Sequence, residues 1–142
     1  MRFRALLGGW WRRWFPPPTL GRRGEAAAAR RLRRLGYKIV ARSDRLKPGE
    51  IDLVAVDGRT IVFVEVKTRQ TADVGHPVEA VDPAKQRRLT RLAVTFLKRH
   101  RLLDHPARFD IVAVTWPEGV RRPTIEHFPN AFEAVGEGEL YS

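Results

Sequence analysis

The chain has 142 residues, 43% of them hydrophobic and 30% charged, with 27 Lys and Arg against 16 Asp and Glu for a formal net charge of +11, and no cysteine. This length and composition suit one compact domain with short extensions and leave too little for a second core. Without cysteine there are no disulfides, thiolate metal sites or cysteine nucleophiles; no run of about 18 apolar residues is present to form a spanning helix, and a cytoplasmic location is expected.

The positive charge is uneven. Residues 1–40 hold nearly all of the excess, with Glu25 as their one acid. A surface of this sign attracts polyanions, nucleic acid first among them. Residues 1–19 form a basic, aromatic and proline-rich extension. Trp10, Trp11, Trp14 and Phe15 alternate with Arg12 and Arg13, and Pro16, Pro17 and Pro18 follow as a stiff spacer. The folded domain is expected over 20–128, with a weakly acidic tail over 129–142.

The first element is a helix over 25–35, with Ala28, Leu32 and Leu35 as its apolar stripe, Glu25 in its first turn and Gly36 as its C-cap. Tyr37 to Ala41 reads as a strand. Glu50 to Val56 and Thr60 to Lys67 read as two strands joined at Asp57-Gly58, a hairpin signal. After an irregular loop over 70–81, Asp82-Pro83 supplies an N-cap and a first helical residue. That helix runs to about Arg99, burying Leu89, Leu92, Ala93, Phe96 and Leu97. Phe109 to Thr115 is an apolar strand, and Ile125 to Phe128 a short last one. The order of helix, three strands, helix and one or two strands implies an α/β domain with a central mixed sheet flanked by helices.

The chemistry lies on the hairpin. Strand side chains alternate between faces, so Glu50, Asp52, Val54 and Val56 share one face, as do Ile61, Phe63, Glu65 and Lys67. A two-residue Asp57-Gly58 turn sets Asp52 opposite Phe63 and diagonal to Glu65. A four-residue turn pairs Asp52 with Glu65 directly. In either register Asp52, Glu65 and Lys67 share a face, whereas a three-residue turn would break the match. Neighbouring carboxylates repel unless a cation sits with them. Two carboxylates with room for water and a phosphate suit Mg²⁺ or Mn²⁺, and a lysine beside them can orient or deprotonate the attacking water. Glu65 and Lys67 interrupt an otherwise apolar strand, where charges are costly unless partnered. The alternative is that both stand in solvent at a strand end, with Asp52 paired to an arginine.

Glu25 can reach the same end of the sheet, and Glu50 is an alternative ligand or a rim residue. Lys85, Gln86 and Arg88 open the second helix, where free N–H groups favour phosphate. With Arg22, Arg23 and Arg69 they are the expected nucleic-acid contacts. Arg108 is expected at the site end of the sheet and Asp110 in a local pairing. His76, His100, His105 and His127 lack ligand spacing and are expected to be structural or exposed. Gly21-Arg-Arg-Gly24 lacks the glycines and lysine of a phosphate loop.

Gly24-Glu25, Gly49-Glu-Ile-Asp-Leu53, Val62-Phe-Val-Glu-Val-Lys-Thr-Arg69, Val81 with Lys85 and Arg88, and Arg108-Phe-Asp110 together resemble the YraN / UPF0102 family, over about residues 20 to 128. That resemblance implies a restriction-endonuclease-like fold of the PD-(D/E)XK superfamily, similar to archaeal Holliday junction resolvases. The superfamily's acid and its acid–x–lysine triplet then fall on Asp52, Glu65 and Lys67, its helix acid on Glu25, and the polar residue opening its next helix on Gln86. The expected function is a Mg²⁺- or Mn²⁺-dependent endonuclease cutting DNA, including branched or structured DNA, for which a two-fold homodimer would present two sites. A nucleic-acid-binding module that does not cut, or an interaction factor in DNA processing, is the competing expectation, because a fold alone does not specify chemistry.

Overall fold

A computed structural model of the chain describes residues 18–43, 50–73 and 75–136. Most of the expected N-terminal extension, most of the loop entering the hairpin (Gly49 included) and the end of the tail lie outside these residues. In chain order the elements are helix α1 (Leu20–Arg34), strands β1 (Lys38–Arg42), β2 (Leu53–Asp57) and β3 (Thr60–Arg69), a 3₁₀ turn over Pro77–Ala80, helix α2 (Pro83–Arg99), and strands β4 (Ala107–Thr115) and β5 (Thr124–Phe132). The strands form one five-stranded sheet in the order β1-β2-β3-β4-β5. Only β3 and β4 run parallel, and α2 makes the crossover between them. This is the mixed sheet flanked by helices expected of a restriction-endonuclease-like fold.

The alternation along β3 assigns each helix its face. Val62, Val64 and Val66 pack with Leu53, Ala55, Val112 and Val114 under Ala28, Ala29 and Leu32 of α1. Ile61 and Phe63 pack with Val54, Phe109 and Ile111 under Leu89, Ala93 and Leu97 of α2. Both faces of the central strands are therefore apolar, which is why β3 reads as a nearly continuous hydrophobic run. Glu65 and Lys67 continue the α2-facing row beyond Phe63, towards the N-terminal end of that helix.

Several boundaries differ from expectation, each for a local reason. Helix α1 starts five residues early, because the Thr19 hydroxyl accepts the Arg22 N–H at 3.2 Å and caps it. Glu25 is thus in the second turn, and the first turn holds no acid. Leu35 is the C-cap and is exposed, so it drops out of the apolar stripe. In α2 the capped start at Asp82-Pro83 is as expected, while Leu92 and Phe96 are only half-buried and Thr90 is buried instead. Strand β5 runs on to Phe132, which is buried against Phe109 with ring centroids 4.7 Å apart. Ordered structure therefore continues into the segment expected as a tail.

The hairpin turn also sits one residue later than the Asp57-Gly58 signal suggests. Asp57 pairs with Thr60, and Gly58-Arg59 form the loop. Gly58 has φ 62 at the first loop position, where a II′-type turn takes glycine. The resulting register pairs Leu53 with Val64. Continued by one step, it sets Asp52 opposite Glu65, the pairing expected of the four-residue turn.

Close approach of α1 depends on Gly24. A Cβ at that position would overlap the side chain of Thr68 on β3. Gly24→Ala must push the helix off the sheet or displace Thr68, and overpacking of this kind costs about 1–3 kcal/mol. Urea denaturation is expected to show that loss, and Thr68→Gly in the same chain to recover most of it.

Candidate metal and phosphodiester site

Asp52 lies just before β2, at the mouth of the hairpin. Its carboxylate accepts the Val66 N–H at 2.8 Å, and its carbonyl accepts the Ser43 N–H at 2.9 Å. The side chain is thereby tied to β3 and the backbone to the strand before it. Glu65 is 8% exposed, and its carboxylate is met by two ammonium groups. Lys67 Nζ stands 3.9 Å from Glu65 Oε1, and Lys85 Nζ is in direct contact with the same oxygen. Lys85 reaches it from the first turn of α2, whose start is fixed by Asp82 accepting the Lys85 N–H at 2.8 Å. Two carboxylates and two lysines thus converge from the residue before β2, from β3 and from α2.

The four groups alter one another's proton affinities. Burial, and then the negative charge of Asp52, raise the pKa of Glu65, although Lys85 and Lys67 pull it down. Burial and the neighbouring Lys85 lower the pKa of Lys67 despite both carboxylates. Burial also opposes the charge on Lys85, but its bond to Glu65 outweighs this and its pKa is raised. Lys67 therefore gives up a proton more readily than an ordinary lysine, while Lys85 holds its proton.

The raised pKa of Glu65 has a consequence for stability. Folding favours its protonated form, so this group's contribution is fully present below its unfolded pKa of about 4.3 and is lost as pH rises through the folded value. Without metal at neutral pH, Glu65→Gln is expected to melt at or above the wild-type temperature. Added Mg²⁺ or Mn²⁺ should raise the wild-type melting temperature and leave the variant unchanged.

The donor set fits a hard divalent ion. Two carboxylates, with the rest of the shell left to water and phosphate oxygens, is a common Mg²⁺ arrangement, and Lys85 already places a cationic group on Glu65. Among the described residues no group of three or more His, Asp or Glu side chains is arranged to hold a metal. Glu25, 2% exposed on α1, accepts a hydrogen bond from the Ser43 hydroxyl at 3.4 Å. It is linked to Asp52 through Ser43 and completes no three-carboxylate cluster. Glu50 is exposed and lines a cleft between the first two strands and α2, a rim position.

The expected nucleic-acid contacts divide. Arg22, Arg23 and Arg88 are exposed. Gln86 is half-buried and donates to the Val81 carbonyl at 3.0 Å. Arg69 donates to the Gly75 carbonyl at 2.7 Å and so fastens the loop after β3. Lys85 was expected only as a phosphate contact; its bond to Glu65 has no sequence signal, because it depends on how α2 docks on the sheet.

Arg108 is at the wrong end for the site. Parallel pairing sets it beside Val62, towards the hairpin turn. There its guanidinium donates to Asp110 at 3.0 Å, Asp57 at 3.3 Å and the Tyr37 hydroxyl at 2.7 Å. Asp110 is fully buried and also accepts from the Asn130 N–H at 2.9 Å, with His127 Nε2 at 2.7 Å. The expected local pairing of Asp110 is thus a six-residue network, and His127 has a structural place in it. No helix among the described residues is long and apolar enough to cross a membrane.

The model of a family described as "Uncharacterised protein family UPF0102" matches residues 24–114. A UPF0102 protein of Rhodopirellula baltica is 53% identical over 125 residues, covering 86% of this chain and 75% of the relative. One from Geobacter sulfurreducens is 52% identical over 116 residues, covering 80% and 88%. Among solved structures, the Holliday junction resolvase Hjc of Archaeoglobus fulgidus is 19% identical, covers 82% of each chain and gives a TM-score of 0.45.

Proposed function

The chain belongs to the UPF0102 family, and for this member we propose a divalent-metal-dependent endonuclease that hydrolyses DNA phosphodiester bonds. The observation that carries the reading is the buried Glu65 carboxylate, sharing its face of the sheet with Asp52 and Lys67 and held by Lys85. A structural ion pair would be served by one lysine. Two carboxylates with a second, proton-releasing lysine make a site for hydrolysis.

In this reading Asp52 and Glu65 would hold Mg²⁺ or Mn²⁺. When bound, the ion polarises the phosphate and stabilises the charge that develops on it. The Val66 N–H fixes one Asp52 oxygen and thus the direction of the other. Lys67, whose proton is loosened by burial and by Lys85, orients the attacking water and accepts its proton. The water oxygen bonds to phosphorus, the ester P–O bond on the opposite side breaks, and the departing oxygen takes up a proton from solvent. With a metal held on Glu65, Lys85 would be released from that carboxylate and could bind a non-bridging phosphate oxygen. Glu25, through Ser43, steadies the backbone carrying Asp52.

The contact of Lys85 with Glu65 also supports a second reading, in which the ammonium permanently replaces a metal and the domain binds nucleic acid without cutting. A panel of linear, flapped and four-way DNAs, incubated with Mg²⁺ or Mn²⁺, separates the two. Metal-dependent nicking abolished by Asp52→Ala supports the endonuclease. Salt-sensitive binding with no cleavage of any substrate supports the binding module.

A further inference from the structure

A second basic surface lies on the α1 side of the sheet, across from the catalytic face. Arg22, Arg23 and Arg30 of α1 and Arg42 of β1 line a groove with Trp116. All four arginines are exposed, and among the described residues none is within ion-pair distance of a carboxylate. Trp116 is 9% exposed, and its indole N–H donates to the Val120 carbonyl at 2.8 Å. The Arg23 guanidinium stacks over that ring, 4.1 Å from its centre.

Four guanidinium groups around one concavity repel one another, and a polyanion relieves that repulsion. The indole restrains Arg23 as a flat, oriented fork suited to bidentate phosphate binding. The groove occupies about 480 Å³, ample for a sugar-phosphate unit.

Its position defines the ligand further. Trp116 N–H donates to the Arg69 carbonyl at the end of β3, and Gly24 of α1 abuts Thr68. The groove and Lys67 therefore share one end of β3 but lie on opposite faces of the sheet. A strand that reaches both must turn over that end. Duplex DNA, with a persistence length of about 150 base pairs, resists such a turn, whereas a single strand or a branch point makes it readily.

We propose that the groove of Arg22, Arg23, Arg30, Arg42 and Trp116 binds the phosphodiester backbone of a single strand that continues from the catalytic face, so that the substrate carries a single-stranded or branched segment beside the cut. The path from the catalytic face rests on the endonuclease reading; binding by the groove does not. The test uses the full chain in EDTA, with fluorescence anisotropy on a labelled single-stranded oligonucleotide and on a blunt duplex of the same length. Without metal there is no cleavage, so an inactive hairpin site leaves this result standing.

Wild type is expected to prefer the single strand. Arg23→Ala/Arg30→Ala/Arg42→Ala is expected to weaken that binding about tenfold or more, and to reduce the salt-dependence slope by about 2, since each lost single-strand contact removes about 0.7. A control removes the same charge at the opposite end of the sheet, with Arg59→Ala, Lys98→Ala and Arg101→Ala together, and should bind nearly as wild type. Equal losses in the two variants, no loss in the groove variant, or a wild-type preference for duplex would each overturn the proposal.

Discussion

Lys67→Ala is expected to lower metal-dependent cleavage by about 10²–10³-fold, the usual cost of removing one group that acts on the charge of a transition state. Lys67 is half-buried at the end of the Ile61-Phe63-Glu65 row, and its proton is loosened by burial and by Lys85. The alanine variant should still fold, because the apolar anchors of β3 lie before this residue. Lys67→Arg keeps the charge but cannot release the proton, since guanidinium remains protonated. If Lys67 moves a proton, arginine is expected to fail nearly as badly as alanine. Rescue by arginine would reduce Lys67 to a fixed positive charge. Single-turnover cleavage, with melting temperature as the control, measures both variants.

Asp110→Ala should produce the largest loss of stability of any single substitution named here. The carboxylate is fully buried and contacts Arg108, His127 and the Asn130 backbone. Its removal strands the Arg108 guanidinium and leaves the Asn130 N–H without this acceptor. Removing one partner of a buried pair costs about 3–5 kcal/mol. Urea denaturation of the alanine variant measures this, and a loss under about 1 kcal/mol would show that the network adds little. The same group sets an acid limit. Burial pushes the Asp110 pKa up, but the hydrogen bonds from His127, Arg108 and Asn130 together outweigh it, and the net shift is downward. A depressed folded pKa gives stability that is complete above the unfolded value, about 3.9, and is lost as pH falls through the folded one. Wild type should lose this contribution below about pH 4, and Asp110→Asn should flatten that limb of the pH profile.

The shared face of Asp52, Glu65 and Lys67 was readable because strand alternation has a strict period of two. Asp52, Glu65 and Lys67 share parity for any even-numbered turn, so a turn one residue from its expected place did not disturb them. Helix α2 was readable from Asp82-Pro83, where cap and first residue are both local signals. The unreadable parts depend on contacts distant in sequence. Lys85 meets Glu65 only because α2 docks with its N-terminal end over that residue. Arg108 lies away from the site because β4 pairs with β3 in parallel, with Val62 beside it, a register that no short motif encodes. His127 finds Asp110 across the β4–β5 ladder from seventeen residues away. Helix α1 begins early through a threonine cap ahead of the glycines and arginines that make residues 20–24 look irregular.

In the proposed function Asp52 and Glu65 bind a divalent ion in a site that Lys67 serves. The most direct test of this is a crystal structure of the wild-type chain soaked in Mn²⁺, with anomalous data collected at the manganese edge. An anomalous peak is expected on the Asp52 and Glu65 carboxylates, with the Lys85 ammonium moved off Glu65 to make room. No peak at saturating Mn²⁺, with Lys85 still seated on Glu65, would contradict it.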